Sequence, residues 1–132
     1  NLELGNISAK RDWGHAYEYM DGIWKMMQQN VPDDFVLATG KNHSVKEFAE
    51  LACKFAGISK NCIRSKKQYF RPSDVHHLKG DYSKAKKILK WTPKISFEKL
   101  VKIMVDEDIK RWELHSKGES FPWDVTNNLT KF

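Results

Sequence analysis

The sequence lacks the glycine-rich loops with which many enzymes hold the phosphates of nucleotides. Its seven glycines are scattered over 132 residues, and none falls in a G-x-G-x-x-G or G-x-x-x-x-G-K pattern. It also has no G-x-S-x-G nucleophile elbow and no H-E-x-x-H metal motif. We therefore predict that these residues supply no catalytic group, no cofactor-binding residue and no metal site.

Cysteine is scarce, and no apolar run approaches the length needed to cross a membrane. Cys53 and Cys62 are the two cysteines, and they lack Cys-x-x-Cys spacing, which favours a reduced intracellular protein over a disulfide scaffold. Asn1 begins neither a signal peptide nor a chain with an initiator methionine. We expect a cytoplasmic protein without a membrane partner, and a chain that is a piece of a longer one.

A strong excess of one charge is also absent. The net charge of +6 comes from 23 basic and 17 acidic residues, and the lysines at 84–90 and 94–102 alternate with apolar positions. That pattern is typical of solvated helix faces, and it also favours a polyanionic ligand such as a nucleotide. Zinc-finger spacing, aromatic RNA-binding signatures and long basic arms do not occur, so we predict no nucleic-acid partner.

Apolar periodicity and capping residues predict a mixed α/β chain in which helices dominate. Strands are expected at 1–5 and, as a buried apolar run, at 35–39. Helices are expected at about 13–29, 45–56, 84–90 and 97–114. Ser44 and Glu47 form a capping box at the start of the second helix.

Two of these helices have faces that we assign to the core. In the first helix the apolar side chains recur at three- and four-residue steps, at Ala16, Met20, Ile23, Trp24 and Met27. We interpret this face as packing surface rather than as part of a cofactor site. We expect the helix at 84–90 to bury Ala85, Ile88 and Leu89.

The stretch 11–16 concentrates polar chemistry at the expected start of the first helix. An arginine at a helix N-terminus suits an anion, because the first turn offers unpaired N–H groups. Asp12 is a good N-cap, so we predict capping for Asp12 and anion binding for Arg11. His15 is interpreted as a partly buried, hydrogen-bonded histidine rather than as a ligand or an acid–base group.

The stretch 69–100 carries a second candidate site. Pro72 fixes its own backbone and favours an extended Arg71, and Asp74 follows three residues later. A fixed guanidinium can bind phosphate bidentately, and a carboxylate can accept hydrogen bonds from ribose hydroxyls. A structural ion pair between Arg71 and Asp74 at a loop corner is the alternative.

Taken in order, several unusual strings resemble the C-terminal part of the GDP-mannose 4,6-dehydratase family. The strings are Gly5-Asn6, Arg11-Asp12-Trp13-Gly14-His15-Ala16, the run at 33–40, Tyr69-Phe70-Arg71-Pro72, Leu78-Lys79-Gly80-Asp81 and Trp91-Thr92-Pro93. The resemblance covers about residues 3–112. It is specific because the strings agree in order and in spacing.

The resemblance implies a small mixed α/β substrate-binding domain, mostly helical with short strands, at 1–114, followed by a tail at 115–132. The family belongs to the extended short-chain dehydrogenase/reductase group, and its Rossmann half holds NADP and the catalytic residues. That half is absent from this chain, so the resemblance implies an inactive fragment. The full-length enzyme converts GDP-mannose to GDP-4-keto-6-deoxymannose, a precursor of GDP-fucose, as a homodimer or homotetramer.

The same resemblance implies roles for individual residues. Arg11 and Arg71 match family arginines that reach the nucleotide diphosphate, and Asp74 falls where the family usually has a ribose-binding Glu. Ser65-Lys66-Lys67 and His76-His77 depart from the family pattern. Another GDP-sugar epimerase or reductase of the same group is one alternative, which a catalytic Glu in the other half would distinguish. A binding module without catalysis is the other.

Overall fold

Four α-helices, two short 3-10 helices (Lys60–Cys62 and Lys67–Tyr69) and two small sheets make up the part of the chain that the computed structural model describes, residues 1–73, 75 and 77–120. The helices are α1 (Ala16–Met27), α2 (Val45–Phe55), α3 (Ser83–Leu89) and α4 (Phe97–Ser116). The strands are β1 (Leu2–Leu4), β2 (Lys10–Arg11), β3 (His43–Ser44) and β4 (Ile63–Ser65). This is the mixed, mostly helical architecture that the sequence predicts.

The two sheets connect parts of the chain that are distant in sequence. Strand β1 pairs in parallel with β4, and β2 pairs antiparallel with β3. After β1, the backbone at Gly5 passes so close to Tyr69 that a Cβ at Gly5 would lie 2.4 Å from the Tyr69 carbonyl oxygen. Glycine permits this approach because it has no side chain, and the approach fixes the start of the stretch that contains Arg71.

Helix α2 begins at the predicted capping box. The Ser44 hydroxyl accepts from the Glu47 N–H at 3.1 Å, and the Glu47 carboxylate accepts from the Ser44 N–H at 2.6 Å. The helix ends before Gly57, which has a φ of +67° as expected for a glycine that terminates a helix. Helix α2 packs against α4. The Sγ atoms of Cys53 and Cys62 lie 3.7 Å apart as free thiols.

A hydrophobic core surrounds Trp91, which is 1% exposed. Its indole contacts Ala85 and Leu89, and its Nε1–H donates to the Glu18 carbonyl at 2.8 Å. The sequence analysis named Trp91 only as part of a string that resembles the family and did not place it in the core. The prediction for Ile88 is wrong, because α3 buries Ala85 and Leu89 and leaves Ile88 43% exposed.

The predicted core face of α1 is also wrong, because that face is exposed. Met20, Trp24 and Met27 have more than half of their surface in solvent. The helix packs through its opposite side, where Tyr19 and Met26 contact the Trp91 core. A Cβ at Gly22, the buried glycine of α1, would lie 2.5 Å from Leu37 Cδ1, so glycine allows the close approach.

The run at 35–39 is not a strand in the structure, although its side chains alternate as in one. Phe35 and Leu37 pack toward Trp91, whereas Val36 and Ala38 face Gly80. This two-residue period is that of extended backbone. Among the hydrogen bonds of the described residues, none joins the backbone of 35–38 to a neighbouring strand, so a sheet is not formed.

None of the described helices is both long enough and apolar enough to cross a membrane.

Candidate functional site

Asp12 joins three separate segments of the chain. Its carboxylate accepts hydrogen bonds from the Thr39 N–H at 2.8 Å, the Gly40 N–H at 2.9 Å and the Gly80 N–H at 3.3 Å. It also accepts from the Thr39 hydroxyl at 2.6 Å. The predicted N-cap role is therefore wrong: α1 begins only at Ala16, so the carboxylate is directed at distant loops instead.

His15 is the N-cap of α1. Its backbone is extended, and its Nδ1 accepts from the Tyr17 N–H at 3.2 Å. The ring is partly buried, so the interpretation of His15 as a partly buried, hydrogen-bonded histidine is confirmed. The imidazole satisfies one of the end amides of the helix, as Ser or Asp does at other helix starts.

Arg11 lies in β2 and not at a helix N-terminus, which corrects the local argument for its anion site. Its Nη1 donates to the Val75 carbonyl at 2.6 Å and to the Lys10 carbonyl at 2.8 Å. Val75 belongs to the segment that follows Arg71-Pro72. The fold thus brings Arg11 to the second stretch that the sequence singled out, by a tertiary contact rather than by a helix end.

Val75, His77 and Leu78 lie beside β2. Leu78 N–H donates to the Lys10 carbonyl at 3.2 Å, and His77 Nε2 lies 2.8 Å from Asn42 Nδ2. Arg71 is exposed to solvent. Asp74, the third predicted site residue, lies outside the described residues.

A tyrosine beside this site was missed by sequence reasoning. Tyr19 lies where burial raises the pKa of its hydroxyl above the ordinary value, and the carboxylates of Asp12 and Glu18 raise it further. A Cβ at Gly14 would lie 2.0 Å from the Tyr19 hydroxyl oxygen. Gly14 within the string Arg11-Asp12-Trp13-Gly14 was the sequence signal for this close approach.

An open cavity of about 970 Å³ lies beside these loops. It is bordered by Trp13, Thr39, Lys41, His43, Lys94 and Phe97, among others. The His43 ring stacks on Phe97 with 3.8 Å between ring centres. Neither Arg11 nor Arg71 borders this cavity, so its volume is separate from the predicted phosphate contacts.

In the described part of the chain, no cluster of three or more His, Cys, Asp or Glu side chains could hold a metal ion. The chemistry that these residues offer is therefore guanidinium, carboxylate and backbone hydrogen bonding. Such groups bind and orient a charged ligand.

Solved structures share this fold. The chain superposes on UDP-glucose 4-epimerase of Thermotoga maritima, solved with UDP-glucose, with a TM-score of 0.76 at 26% identity over 85% of the chain and 36% of that protein. For dTDP-glucose 4,6-dehydratase of Bacillus anthracis, solved with NAD, the TM-score is 0.74 at 21% identity over 85% of the chain and 35% of that protein.

Proteins found by sequence comparison have a higher identity to this chain than these solved structures do. The chain is 53% identical over 110 residues to GDP-mannose 4,6 dehydratase 1 of Arabidopsis thaliana, covering 83% of the chain and 30% of that protein. It is 40% identical over 129 residues to the human GDP-mannose 4,6 dehydratase, covering 83% of the chain and 34% of that protein. The chain thus spans about a third of the length of these relatives. The family model of GDP-mannose 4,6 dehydratase matches residues 1–104, and the chain therefore belongs to this family.

Proposed function

We propose that this chain is the substrate-binding part of a GDP-mannose 4,6-dehydratase, the lyase that converts GDP-mannose to GDP-4-keto-6-deoxymannose. In this proposal residues 1–114 form the nucleotide-sugar-binding domain and 115–132 a tail. The observation that carries the proposal is the contact of the Arg11 guanidinium with the Val75 carbonyl, at 2.6 Å. It places one candidate phosphate ligand against the segment that begins with the other, Arg71.

The two arginines supply charge for the two phosphates of GDP-mannose. Guanidinium groups donate paired hydrogen bonds to phosphate oxygens, and these charge-assisted bonds are stronger than neutral ones. Asp74 is assigned to the ribose hydroxyls. Contacts of this kind position the sugar and leave the bond-breaking steps to other groups. On this proposal, NADP and the catalytic residues belong to the part of the enzyme outside the match, and the present chain alone is inactive.

One further feature of the proposed enzyme comes from solved structures that share the fold rather than from this chain. RMD of Pseudomonas aeruginosa and dTDP-glucose 4,6-dehydratase of Bacillus anthracis were solved with NADPH and NAD, which supports a nicotinamide cofactor for the whole enzyme. We place that enzyme in the cytoplasm as a homodimer or homotetramer.

Calorimetric titration of the chain with GDP-mannose tests the proposal, with UDP-glucose as the competing nucleotide sugar. We expect preferential binding of GDP-mannose and a loss of at least about tenfold in affinity for Arg71→Ala. The expected loss follows from a hydrogen bond to a charged group, which contributes about 1.5–3 kcal/mol.

Arg64→Ala is the matched control, because Arg64 is an exposed arginine on β4 and its removal changes the net charge equally. Its affinity should stay within about twofold of the unsubstituted chain. Equal losses in the two variants would contradict a specific role for Arg71. Equal binding of the two sugars would contradict GDP-mannose as the ligand, and no binding of either would contradict a site preformed in this chain.

A further inference from the structure

Two free thiols meet at the C-terminal end of α2. The Sγ atoms of Cys53 and Cys62 lie 3.7 Å apart, and neither cysteine is in a disulfide. An S–S bond is about 2.0 Å long, so side-chain shifts of less than about 2 Å bring the two sulfur atoms to bonding distance. The proposed contacts with GDP-mannose involve neither thiol.

The end of α2 fixes this proximity through its backbone. The Ile58 N–H donates to the Cys53 carbonyl at 3.0 Å, and the Gly57 N–H donates to the Lys54 carbonyl at 3.3 Å. These two hydrogen bonds form a Schellman motif, in which Gly57 has the positive φ of +67° that reverses the chain. The residues after the helix therefore return toward Cys53 in a defined geometry.

The first 3-10 helix then places Cys62 beside α2. Ser59 caps it: the Ser59 Oγ accepts from the Asn61 N–H at 3.2 Å, and the Ser59 carbonyl accepts from the Cys62 N–H at 3.2 Å. Lys60 of the same turn forms an ion pair with Glu50 of α2 at 3.7 Å. Because these bonds hold the turn against the helix, the approach of the two sulfur atoms is fixed by the fold.

The two thiols differ in exposure, and this difference sets the order in which they react. Cys53 is 3% exposed and borders an apolar cavity of about 340 Å³. Burial, and next the contact with Cys62, raises the pKa of the Cys53 thiol, which disfavours the nucleophilic thiolate. Cys62 is only partly buried, so a reagent in solution reaches Cys62 first.

We propose that Cys53 and Cys62 form a modification site, at which a low-molecular-weight disulfide such as oxidised glutathione converts the pair to an intramolecular disulfide. The Cys62 thiolate attacks one sulfur of the small disulfide, whose S–S bond breaks and releases one small thiolate. The Cys53 thiolate then attacks the Cys62 Sγ of the mixed disulfide and releases the second. The cysteines lose two electrons and two protons, and the small disulfide gains them as it becomes two small thiols.

The disulfide ties α2 to the sheet that β4 forms with β1. Strand β4 begins directly after Cys62, at Ile63, and it pairs with β1. Helix α2 packs against α4, so the bond joins the helical part of the fold to this sheet. Small thiols reverse the exchange, and the site therefore responds to the balance of small thiols and disulfides.

A redox titration of the chain with mixtures of reduced and oxidised glutathione tests the site. After alkylation of the remaining thiols, mass spectrometry of the peptides measures the fraction in which Cys53 and Cys62 are linked. Cysteines this near in sequence also pair in an unfolded chain, so the same titration in urea is the reference. We expect the equilibrium constant for disulfide formation to be at least about tenfold larger in the folded chain. A constant at or below the urea value would overturn the proposal.

Two variants separate the intramolecular disulfide from simple reaction with glutathione. Cys53→Ala should accumulate the mixed disulfide of Cys62 with glutathione, because no second thiol resolves it. In Cys62→Ala, the buried Cys53 should react at least about tenfold more slowly than Cys62 does in Cys53→Ala. A mixed disulfide that persists in the unsubstituted chain, or disulfide-linked dimers of it, would contradict the proposed site.

Thermal unfolding of the oxidised and reduced chain gives a second measurement without any substitution. Oxidation should raise the melting temperature by about 5–10 °C, because closing a short loop restricts the unfolded chain. Cys53→Ala treated with the same mixtures is the control and should show no such rise. A melting temperature that stays constant or falls would show that the fold does not favour the bond. None of these measurements uses GDP-mannose, so their outcome is independent of the proposed function.

Discussion

At the scale of single residues, one carboxylate holds two loops against β2. The oxygens of Asp12 accept hydrogen bonds from the N–H groups of Thr39, Gly40 and Gly80, all of which are half-buried. Without this acceptor, these half-buried donors lose a charged partner. The cost of a substitution is then the desolvation of the donors and not simply the loss of contacts.

We predict that Asp12→Ala lowers the free energy of unfolding by about 2–3 kcal/mol, as measured by urea denaturation. Asp21→Ala is the matched control, since Asp21 forms an exposed ion pair with Lys25 on α1. Such a pair contributes about 0.5 kcal/mol or less. Equal effects of the two substitutions would show that Asp12 does not hold the loops.

The sequence marked Asp12, Arg11 and His15 as important but could not give their roles. Asp12 bonds across 27, 28 and 68 residues of chain, and Arg11 bonds across 64. A pattern in the local sequence carries no information about such partners. The role of His15 was predictable because its partner is Tyr17, two residues away.

At the scale of elements, the start of α2 was predicted well, whereas the start of α1 and two helix faces were not. The capping box of α2 involves Ser44 and Glu47 and is decided within four residues. The periodicity of α1 correctly identified an apolar face, but that face is exposed and the helix packs through its opposite side. The alternation of side chains at 35–39 likewise identified extended backbone. A sheet also needs a hydrogen-bonded partner strand, and among the described residues none pairs with 35–38.

The capping box of α2 predicts a pH dependence of stability. The pKa of Glu47 is lowered, first by the hydrogen bond from the Ser44 N–H and then by that from the Ser44 hydroxyl. A lowered folded-state pKa gives stability that is present above the ordinary glutamate pKa of about 4.3. That contribution is lost as the pH falls through the lower folded value.

We therefore predict that Glu47→Gln destabilises the chain at pH 7 and that the difference from the unsubstituted chain disappears in acid. Urea denaturation as a function of pH measures it. Glu107→Gln, at an exposed glutamate of α4, is the control. Ser44→Ala should cost about 1 kcal/mol at pH 7, as expected for removal of an N-cap. A difference for Glu47→Gln that persists unchanged in acid would rule out the carboxylate as its source.

At the scale of the whole molecule, charge and apolar surface are assigned to different faces. The net charge of +6 includes Arg71 and Arg11, which contacts Val75, while the exposed face of α1 formed by Met20, Trp24 and Met27 is apolar. Overall fold class followed from sequence because composition and periodicity average over many residues. The separation of the arginines from the exposed apolar face of α1 did not follow from the sequence, because it depends on how α1 and β2 pack.

The positive charge predicts that GDP-mannose binding weakens with salt. On the proposed function, the diphosphate is attracted both by the arginines assigned to it and by the summed field of the chain. The Debye length falls from about 10 Å at 0.1 M to about 3 Å at 1 M salt, so the summed field is screened while direct contacts are screened less. We expect the affinity to fall by about threefold to tenfold over this range, as measured by calorimetry.

The two arginine variants separate the local from the summed contribution. Arg64→Ala and Arg71→Ala each lower the net charge by one, so they weaken the summed field to the same extent. If Arg71 contacts the phosphates, its variant loses affinity at 1 M salt as well as at 0.1 M, because a direct charge-assisted hydrogen bond persists when the field is screened. If Arg71 acts only through the field, the two variants become indistinguishable at 1 M salt. That outcome would remove Arg71 from the site and leave Arg11 as the phosphate ligand.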